Sequence, residues 1–191
     1  MISLYACAAS HRAESINRAL LDYALGKLRP HAPTWQTTTL DYADFILPPY
    51  DDAKRIAEGI SPEVQQAHDR YAQAQAWMFA VPEYNSSCPG AFKNTIDWLS
   101  VFQPNVLSGK PVILLCATPS ERGGVIGLMH TRQILESVGM MVYPTMISVG
   151  KAHEVFRREG AWTKPAKQTL VDDAIKQFCT WGALLHHGLS G

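Results

Sequence analysis

The chain of 191 residues is predicted to fold as a three-layer α/β sandwich around a five-stranded parallel sheet. Short apolar or β-branched runs alternate along the sequence with longer segments of helical periodicity, which is typical of right-handed β-α-β crossovers. The loops that follow the first, third and fourth strands also have the most unusual sequences. Together these observations predict a doubly wound sheet in the order 2-1-3-4-5, with a ligand crevice at the carboxyl ends of strands one and three.

Five segments have the composition of strands. The first is a nearly continuous apolar run, as expected of a strand buried on both faces, and the second is rich in β-branched threonine. The predicted strands span residues 2–9, 34–40, 76–81, 112–117 and 141–147.

Helices are predicted between these strands and after the last one. Ile16, Leu20 and Tyr23 fall on one face of the first helix, and Pro62 follows Ser61 at a helix start. The predicted helices span residues 16–28, 62–74, 91–101, 126–138 and 165–186, and residues 47–52 are predicted to form a loop.

Composition and charge limit the classes of function. A net charge of zero, without any run of Lys or Arg, disfavours nucleic acids and anionic membranes as partners. No apolar run approaches the length of a membrane span, and the first residues do not have the pattern of a secretory leader. We therefore expect a single cytoplasmic domain over residues 1–191.

The cysteines and histidines give little sign of metal or disulfide chemistry. The four cysteines include no C-x-x-C pair, so reduced packing thiols are expected. His186 and His187 are adjacent, but no Cys or carboxylate stands at ligand spacing from them. No metal site is therefore expected.

The loop after the first strand has the chemistry of a phosphate site. Residues 10–17 add the hydroxyls of Ser10 and Ser15, the guanidinium of Arg12 and the amide of Asn17 to a helix N-terminus, where the helix dipole favours an anion. The loop contains no glycine, which excludes the dinucleotide fingerprint and the Walker A loop. An alternative is that the serines and Asn17 only cap the helix while Arg12 is solvated.

Two segments resemble a known family. Residues 10–17 resemble the G-S-x-R-x-x-S-x-N phosphate loop of the NAD(P)H-dependent FMN reductase family, which includes quinone, chromate and azo reductases. Residues 82–100, which read PEYNSSCPGAFKNTIDWLS, are similar to that family's P-E-Y-N-x-S-x-P-G-x-L-K-N-A-I-D-W-L-S signature. Residues 47–52 and 152–156 also resemble family segments, whereas Ala9 stands where the family usually has glycine.

The resemblance implies a flavodoxin-like fold and a set of FMN-binding residues. The residues implied to surround the FMN phosphate are Ser10, Arg12, Ser15, Ile16 and Asn17. The residues implied along the isoalloxazine edge are Pro82, Glu83, Tyr84 and Asn85, with Thr118 on the other side of the ring and Gly123 and Gly124 permitting close approach of the backbone.

The implied activity is hydride transfer from NAD(P)H through FMN to a quinone, flavin, azo compound or similar small acceptor. This chemistry requires no side-chain acid or base, so no catalytic residue is assigned. Two alternatives stay open. One is a flavodoxin-like electron carrier, which the zero net charge disfavours, and the other is a regulatory protein of the same fold without reductase activity.

The helix over residues 91–101 carries more large apolar side chains than one core-facing stripe needs, among them Phe92 and Trp98. An exposed remainder would indicate a subunit contact, and the family resemblance implies a homodimer or homotetramer. The alternative is that Trp98 packs beneath residues 104–108.

Three further side chains have two interpretations each. Cys88 stands near the expected ring position, and we interpret it as a packing residue rather than a redox thiol, because no nearby cation lowers its pKa. Arg122 and Arg132 are candidates for binding the 2′-phosphate of NADPH, with ordinary solvated arginines as the alternative.

Overall fold

The secondary structure alternates strands and helices along the chain. A computed structural model describes residues 1–12, 14–157 and 159–189, without the side chains of His187 and Leu189. The strands are β1 Ser3–Ala8, β2 Gln36–Leu40, β3 Ala76–Ala80, β4 Pro111–Ala117, β5 Met141–Val142 and β6 Ile147–Val149. The α-helices are α1 Ile16–Leu28, α2 Asp52–Glu58, α3 Pro62–Ala72, α4 Gly90–Ser100, α5 Val125–Ser137, α6 Ala152–Val155 and α7 Pro165–Leu189, and a short 3-10 helix spans Tyr42–Phe45.

The strands form one parallel sheet in the order β2-β1-β3-β4-β5, with β6 also paired to β4. The predicted order 2-1-3-4-5 is therefore confirmed. The register sets Cys7 of β1 opposite Phe79 of β3, and Phe79 opposite Leu114 of β4. The carboxyl ends of the central strands consequently lie at one edge of the sheet, and the loops that leave them are neighbours.

The predicted fifth strand over residues 141–147 is wrong in its extent. The structure has two short strands there, β5 and β6, which pair with opposite halves of β4. Pro144 lies between them, and proline has no N–H to donate to a ladder and restricts the residue before it. The interruption therefore gives a six-stranded sheet instead of a five-stranded one. Helices α2 and α6 and the 3-10 helix are further elements that the sequence analysis did not predict.

Helices cover both faces of the sheet, which makes the predicted three-layer sandwich. Successive residues of a strand point to opposite faces, so Leu4 and Ala6 of β1 lie in the core beneath α1 and α7, while Tyr5 and Cys7 lie in the core beneath α3, α4 and α5. Both sets are buried. This two-sided burial explains why the central strands are almost continuously apolar.

Helix α4 holds the irregular segment of residues 45–50 against the sheet. The amide of Asn94 donates to the carbonyls of Leu47 and Pro48 at 3.1 and 3.0 Å and accepts from the N–H of Tyr50 at 2.7 Å. Trp98 donates from Nε1 to the same Pro48 carbonyl at 2.7 Å. One helix face thus satisfies backbone polar groups of residues 47–50, which belong to no strand or helix.

The expected exposed apolar remainder on α4 is absent. Phe92 is fully buried and Trp98 is 6% exposed, because the ring of Tyr50 packs edge-on against the indole at 4.9 Å. Trp98 therefore contacts Pro48 and Tyr50, and it shares a core cluster with Leu107 of the segment that was the alternative. The apolar surface of this helix gives no indication of a subunit contact.

None of the helices in the described parts of the chain is long and apolar enough to cross a membrane. All four cysteines are buried and unpaired, as expected.

We expect Asn94→Ala to lower the free energy of unfolding by about 2 to 3 kcal/mol, because three hydrogen bonds to the backbone of residues 47–50 are lost and their partners stay partly buried. Urea unfolding followed by circular dichroism measures the loss. The matched control is Gln66→Ala on the exposed face of α3, which we expect to change stability by less than about 0.5 kcal/mol. Equal effects of the two substitutions would contradict this role of Asn94.

Candidate functional site

A cavity of about 570 Å³ lies at the carboxyl ends of β1, β3 and β4. Its volume is in the range of sites for cofactors and other small molecules. The predicted site residues that line it are Ser10, Arg12, Ser15, Ile16, Asn17, Pro82, Glu83, Tyr84 and Thr118. The structure thus brings together residues from three loops that are far apart in sequence, as the strand order requires.

One end of the cavity is the N-terminus of α1. Ser15 caps this helix, with its Oγ accepting from the N–H of Arg18 at 3.4 Å, and Ser10 Oγ accepts from the N–H of Arg12 at 3.4 Å. The first N–H groups of a helix have no partner within it, so those of α1 are available to an anion. Arg12 is exposed beside them, and Ala13 lies outside the described residues.

The side chain of Asn17 makes two hydrogen bonds to the protein backbone that the sequence did not predict. Its Nδ2 donates to the carbonyl of Ala117 at 2.9 Å, and its Oδ1 accepts from the N–H of Ala117 at 2.8 Å. The side chain is 4% exposed. The amide therefore joins the start of α1 to the end of β4, which is a structural role. Because Nδ2 has a second hydrogen and Asn17 lines the cavity, the expected bond to a phosphate stays a prediction.

The loop after β3 forms the second wall. Tyr84 and Ser87 exchange two backbone hydrogen bonds of 2.8 and 3.0 Å around Asn85 and Ser86, which both have positive φ, the signature of a type I′ turn. Tyr84 is 46% exposed and borders the cavity. Asn85 is exposed at the tip of this turn and does not line the cavity, in contrast to the expectation.

The carboxylate of Glu83 is committed to a helix. Glu83 Oε2 accepts from the N–H of Gly127 at 2.7 Å, in the first turn of α5, whose own cap residue Gly124 supplies no side-chain bond. The positive end of the dipole of α5 also stabilises a negative charge at this position. Gly127 is required by the close approach, since a Cβ there would lie 2.9 Å from Glu83 Cγ. This glycine was missed because its sequence gives no sign of a partner 44 residues away.

The two glycines after β4 pack against the protein and do not line the cavity. Gly123 and Gly124 have φ of +65° and +76°, and a Cβ at Gly124 would lie 2.3 Å from the sulfur of Cys116. A Cβ at Gly123 would lie 2.4 Å from Ser148 Oγ. These two glycines therefore approach β4 and β6 closely, and the expected approach to a flavin ring stays a prediction.

The third wall was not predicted. It comes from α6 and the residues after it, and the only signal in the sequence was the family resemblance of residues 152–156. Additional lining residues are Glu14, Ala117, Pro119, Ala152, His153, Phe156, Arg157 and Glu159. The wall is attached to the sheet because the N–H of Ala152 donates to the carbonyl of Thr118 at 2.9 Å.

The thiols near the site are not set up for redox chemistry. Burial raises the pKa of the Cys116 thiol to about 12, although the backbone N–H of Glu83 opposes this by bonding the sulfur. Burial likewise raises the pKa of Cys88, which does not line the cavity. Thiols with raised pKa values are poor nucleophiles, which supports the packing interpretation.

The candidates for a 2′-phosphate and for a metal gain no support. Arg132 is bound to Glu136 at 2.8 Å and to the carbonyl of Pro144 at 3.2 Å, and Arg122 is exposed outside the cavity. Among the side chains that the structure describes, no group of three or more His, Cys, Asp or Glu could hold a metal ion. The expectation that His186 and His187 bind no metal involves the side chain of His187, which lies outside the described residues.

The fold and the cavity define the class of protein. It is a flavodoxin-like α/β protein whose ligand crevice lies at the carboxyl ends of the central strands. Residues 2–154 match the NADPH-dependent FMN reductase family, so the chain belongs to that family. It is therefore an oxidoreductase that works with FMN and NAD(P)H. A phosphate monoester needs several hydrogen-bond donors. The cavity offers the available N–H groups of α1, the two serines and Arg12, and these donors fit the phosphate of FMN.

Individual relatives agree with this assignment. An NAD(P)H-dependent FMN reductase of Pseudomonas aeruginosa is 28% identical over 183 residues, which are 94% of this chain and 95% of that protein. A quinone reductase of Escherichia coli is 38% identical over 96 residues, which are 50% of this chain and 51% of that protein. Among solved structures, FerB of Paracoccus denitrificans, a flavoenzyme NAD(P)H:(acceptor) oxidoreductase, has the same fold, with a TM-score of 0.76 at 24% identity over 96% of this chain and 98% of that chain.

We expect Glu83→Ala to lower the free energy of unfolding by about 1 to 2 kcal/mol, because α5 loses its external cap, whereas Glu83→Gln keeps an acceptor and loses less. A double-mutant cycle with Gly127→Ala tests the contact. Gly127→Ala should be costly beside Glu83 and less costly in the Glu83→Ala background, because the contact with Cγ at 2.9 Å is then gone while the contact with Cβ at 3.0 Å stays.

Urea unfolding of the four proteins measures this coupling. Glu58→Ala at the exposed end of α2 removes a carboxylate without a cap role and serves as the control. Additive effects of Glu83→Ala and Gly127→Ala would show that the two positions act independently and would contradict the proposed contact.

Proposed function

We propose that residues 1–191 form one FMN-binding domain that transfers hydride from NAD(P)H to a quinone or a similar small acceptor. The observation that carries this proposal is the continuous cavity that joins the N-terminus of α1 to the loops after β3 and β4. A phosphate at one end and a planar ring at the other match the polarity of its two ends. When bound, FMN supplies the hydride chemistry, and the protein supplies position and electrostatics.

The residues have separate parts in this proposal. Ser10, Arg12 and the first N–H groups of α1 bind the phosphate of FMN. Pro82, Tyr84 and Thr118, which line the other part of the cavity, would lie along the ring. The carboxylate of Glu83 is held by Gly127, so no side chain of this wall is assigned as an acid or base.

The acceptor class is supported by the names of relatives. The quinone reductase of Escherichia coli is 38% identical over half of this chain, and an NADPH:quinone oxidoreductase of Arabidopsis thaliana is 31% identical over 70% of it. Flavins and azo compounds are planar acceptors of similar size and remain within the proposal. An electron carrier is disfavoured by the net charge of zero, since carriers dock through strongly charged surfaces.

We also propose a homodimer or homotetramer that acts in the cytoplasm. Tyr84 at the cavity mouth and Met129 on α5 are exposed apolar side chains, 46% and 58% respectively, and would be covered by a contact near the site. Four unpaired, buried thiols support a reducing compartment. Sedimentation of the purified protein tests the assembly, and a monomer at micromolar concentration would contradict it.

Anaerobic stopped-flow absorbance tests the activity. The protein loaded with FMN should lose its flavin absorbance on mixing with NADH or NADPH and regain it on adding a quinone. A flavin that binds but is not reduced by either nucleotide would favour the electron carrier, and a protein that takes up no FMN would favour the regulatory alternative. A panel of quinones, azo dyes and free flavin then ranks the acceptors by kcat/KM.

We expect Arg12→Ala to weaken FMN binding about tenfold and to leave riboflavin binding unchanged, because riboflavin lacks the phosphate that the guanidinium contacts. Titration of each flavin, followed by quenching of its fluorescence, measures the dissociation constants. Arg29→Ala at the opposite end of α1 removes the same charge far from the cavity and is the control. Unchanged FMN binding in Arg12→Ala would contradict the phosphate assignment.

A further inference from the structure

The wall of the cavity that the sequence analysis missed carries a second arginine. Arg157 follows α6 and lines the same cavity as Ser10, Arg12 and Ser15. Its side chain is exposed, and no carboxylate in the described part of the chain lies within ion-pair distance of it. Four other arginines, Arg18, Arg55, Arg70 and Arg132, do have such partners. The guanidinium of Arg157 is therefore free for a ligand.

The backbone that carries Arg157 is held in place beside α1. Phe156 is 1% exposed, and its ring packs edge-on against Tyr23 of α1 at 5.9 Å and at a tilt against Trp162 at 4.7 Å. Arg157 itself donates from its N–H to the carbonyl of Ala161 at 2.8 Å and accepts at its carbonyl from Gly160 at 2.9 Å. Thus the position of this residue follows from packing on α1, although its side chain extends into the cavity.

Negative charge also lines the cavity. The carboxylate of Glu159 is one source, in addition to the Glu83 carboxylate that accepts from the N–H of Gly127. Like charges in a partly enclosed site repel a bound phosphate, and a second guanidinium offsets that repulsion.

We propose that Arg157, together with Arg12 in the same cavity, supplies the second guanidinium of a phosphate-monoester site, and that the phosphate is the one on FMN. This inference rests on the proposed function, because it takes the phosphate to lie at the N-terminus of α1. Planar guanidinium groups from two walls bind different oxygens of one phosphate, which fixes its orientation as well as its charge. The phosphates of NAD(P)H are the other source of the same chemistry, and the experiment separates the two sources.

The test compares FMN with riboflavin as probes. Dissociation constants for both are measured by fluorescence titration for the wild-type protein, Arg157→Ala, Arg157→Lys and the control Arg29→Ala. We expect Arg157→Ala to raise the dissociation constant for FMN about tenfold and to leave that for riboflavin unchanged. Arg157→Lys keeps the charge without the planar fork and should have an intermediate effect. The Michaelis constants for NADH and NADPH are measured in parallel.

The possible outcomes separate this inference from the proposed function. If the wild-type protein binds FMN more tightly than riboflavin and Arg157→Ala changes neither constant, the role of Arg157 is overturned while the proposed function stands. Equal weakening of both flavins would assign Arg157 to packing and overturn its phosphate role. A raised Michaelis constant for NADPH with unchanged FMN affinity would move the phosphate to the nicotinamide nucleotide and overturn the FMN assignment. A wild-type protein that binds neither flavin would overturn both proposals.

Discussion

The two hydrogen bonds between the amide of Asn17 and the backbone of Ala117 are the constraint on which the cavity depends. They join the first turn of α1 to the carboxyl end of β4, across 100 residues of sequence. Ala117 precedes Thr118, whose carbonyl in turn accepts from Ala152 at the start of α6. The phosphate end, the loop after β4 and the third wall are therefore connected by buried polar contacts, which are costly to break because the partners are removed from water.

The protein uses several polar side chains to build the cavity and leaves others for the ligand. Asn17 and Glu83 look like ligand-binding residues in sequence, but Asn17 bonds the backbone of Ala117 and one carboxylate oxygen of Glu83 bonds the N–H of Gly127. Arg12 and Arg157 line the cavity with exposed side chains. A frame that is held by such contacts reduces the ordering cost of binding.

The sheet and its cavity were predictable because they follow from patterns that are local in sequence. The continuous apolar runs predict buried parallel strands, and the strand order then places the loops after β1, β3 and β4 together. Pro144 divides the last strand, a local signal that the sequence analysis did not weigh. The roles of Asn17, Gly123 and Gly124 were not predictable, because a donor or a glycine has the same sequence pattern whether its partner is a ligand or a distant strand.

The same distinction explains the two larger misses, on α4 and on the third wall. The apolar surplus of α4 suggested a partner chain, yet residues 45–50 cover it, and nothing in the periodicity of a helix says which segment packs on it. The third wall depends on Phe156 packing against Tyr23, a contact between residues 133 positions apart that orients Arg157 toward the cavity. Sequence patterns therefore identify which residue types are available to a site. Long-range packing decides which of them face the cavity, and here it joins the amide of Asn17 to Ala117 and places Arg157 at the cavity wall.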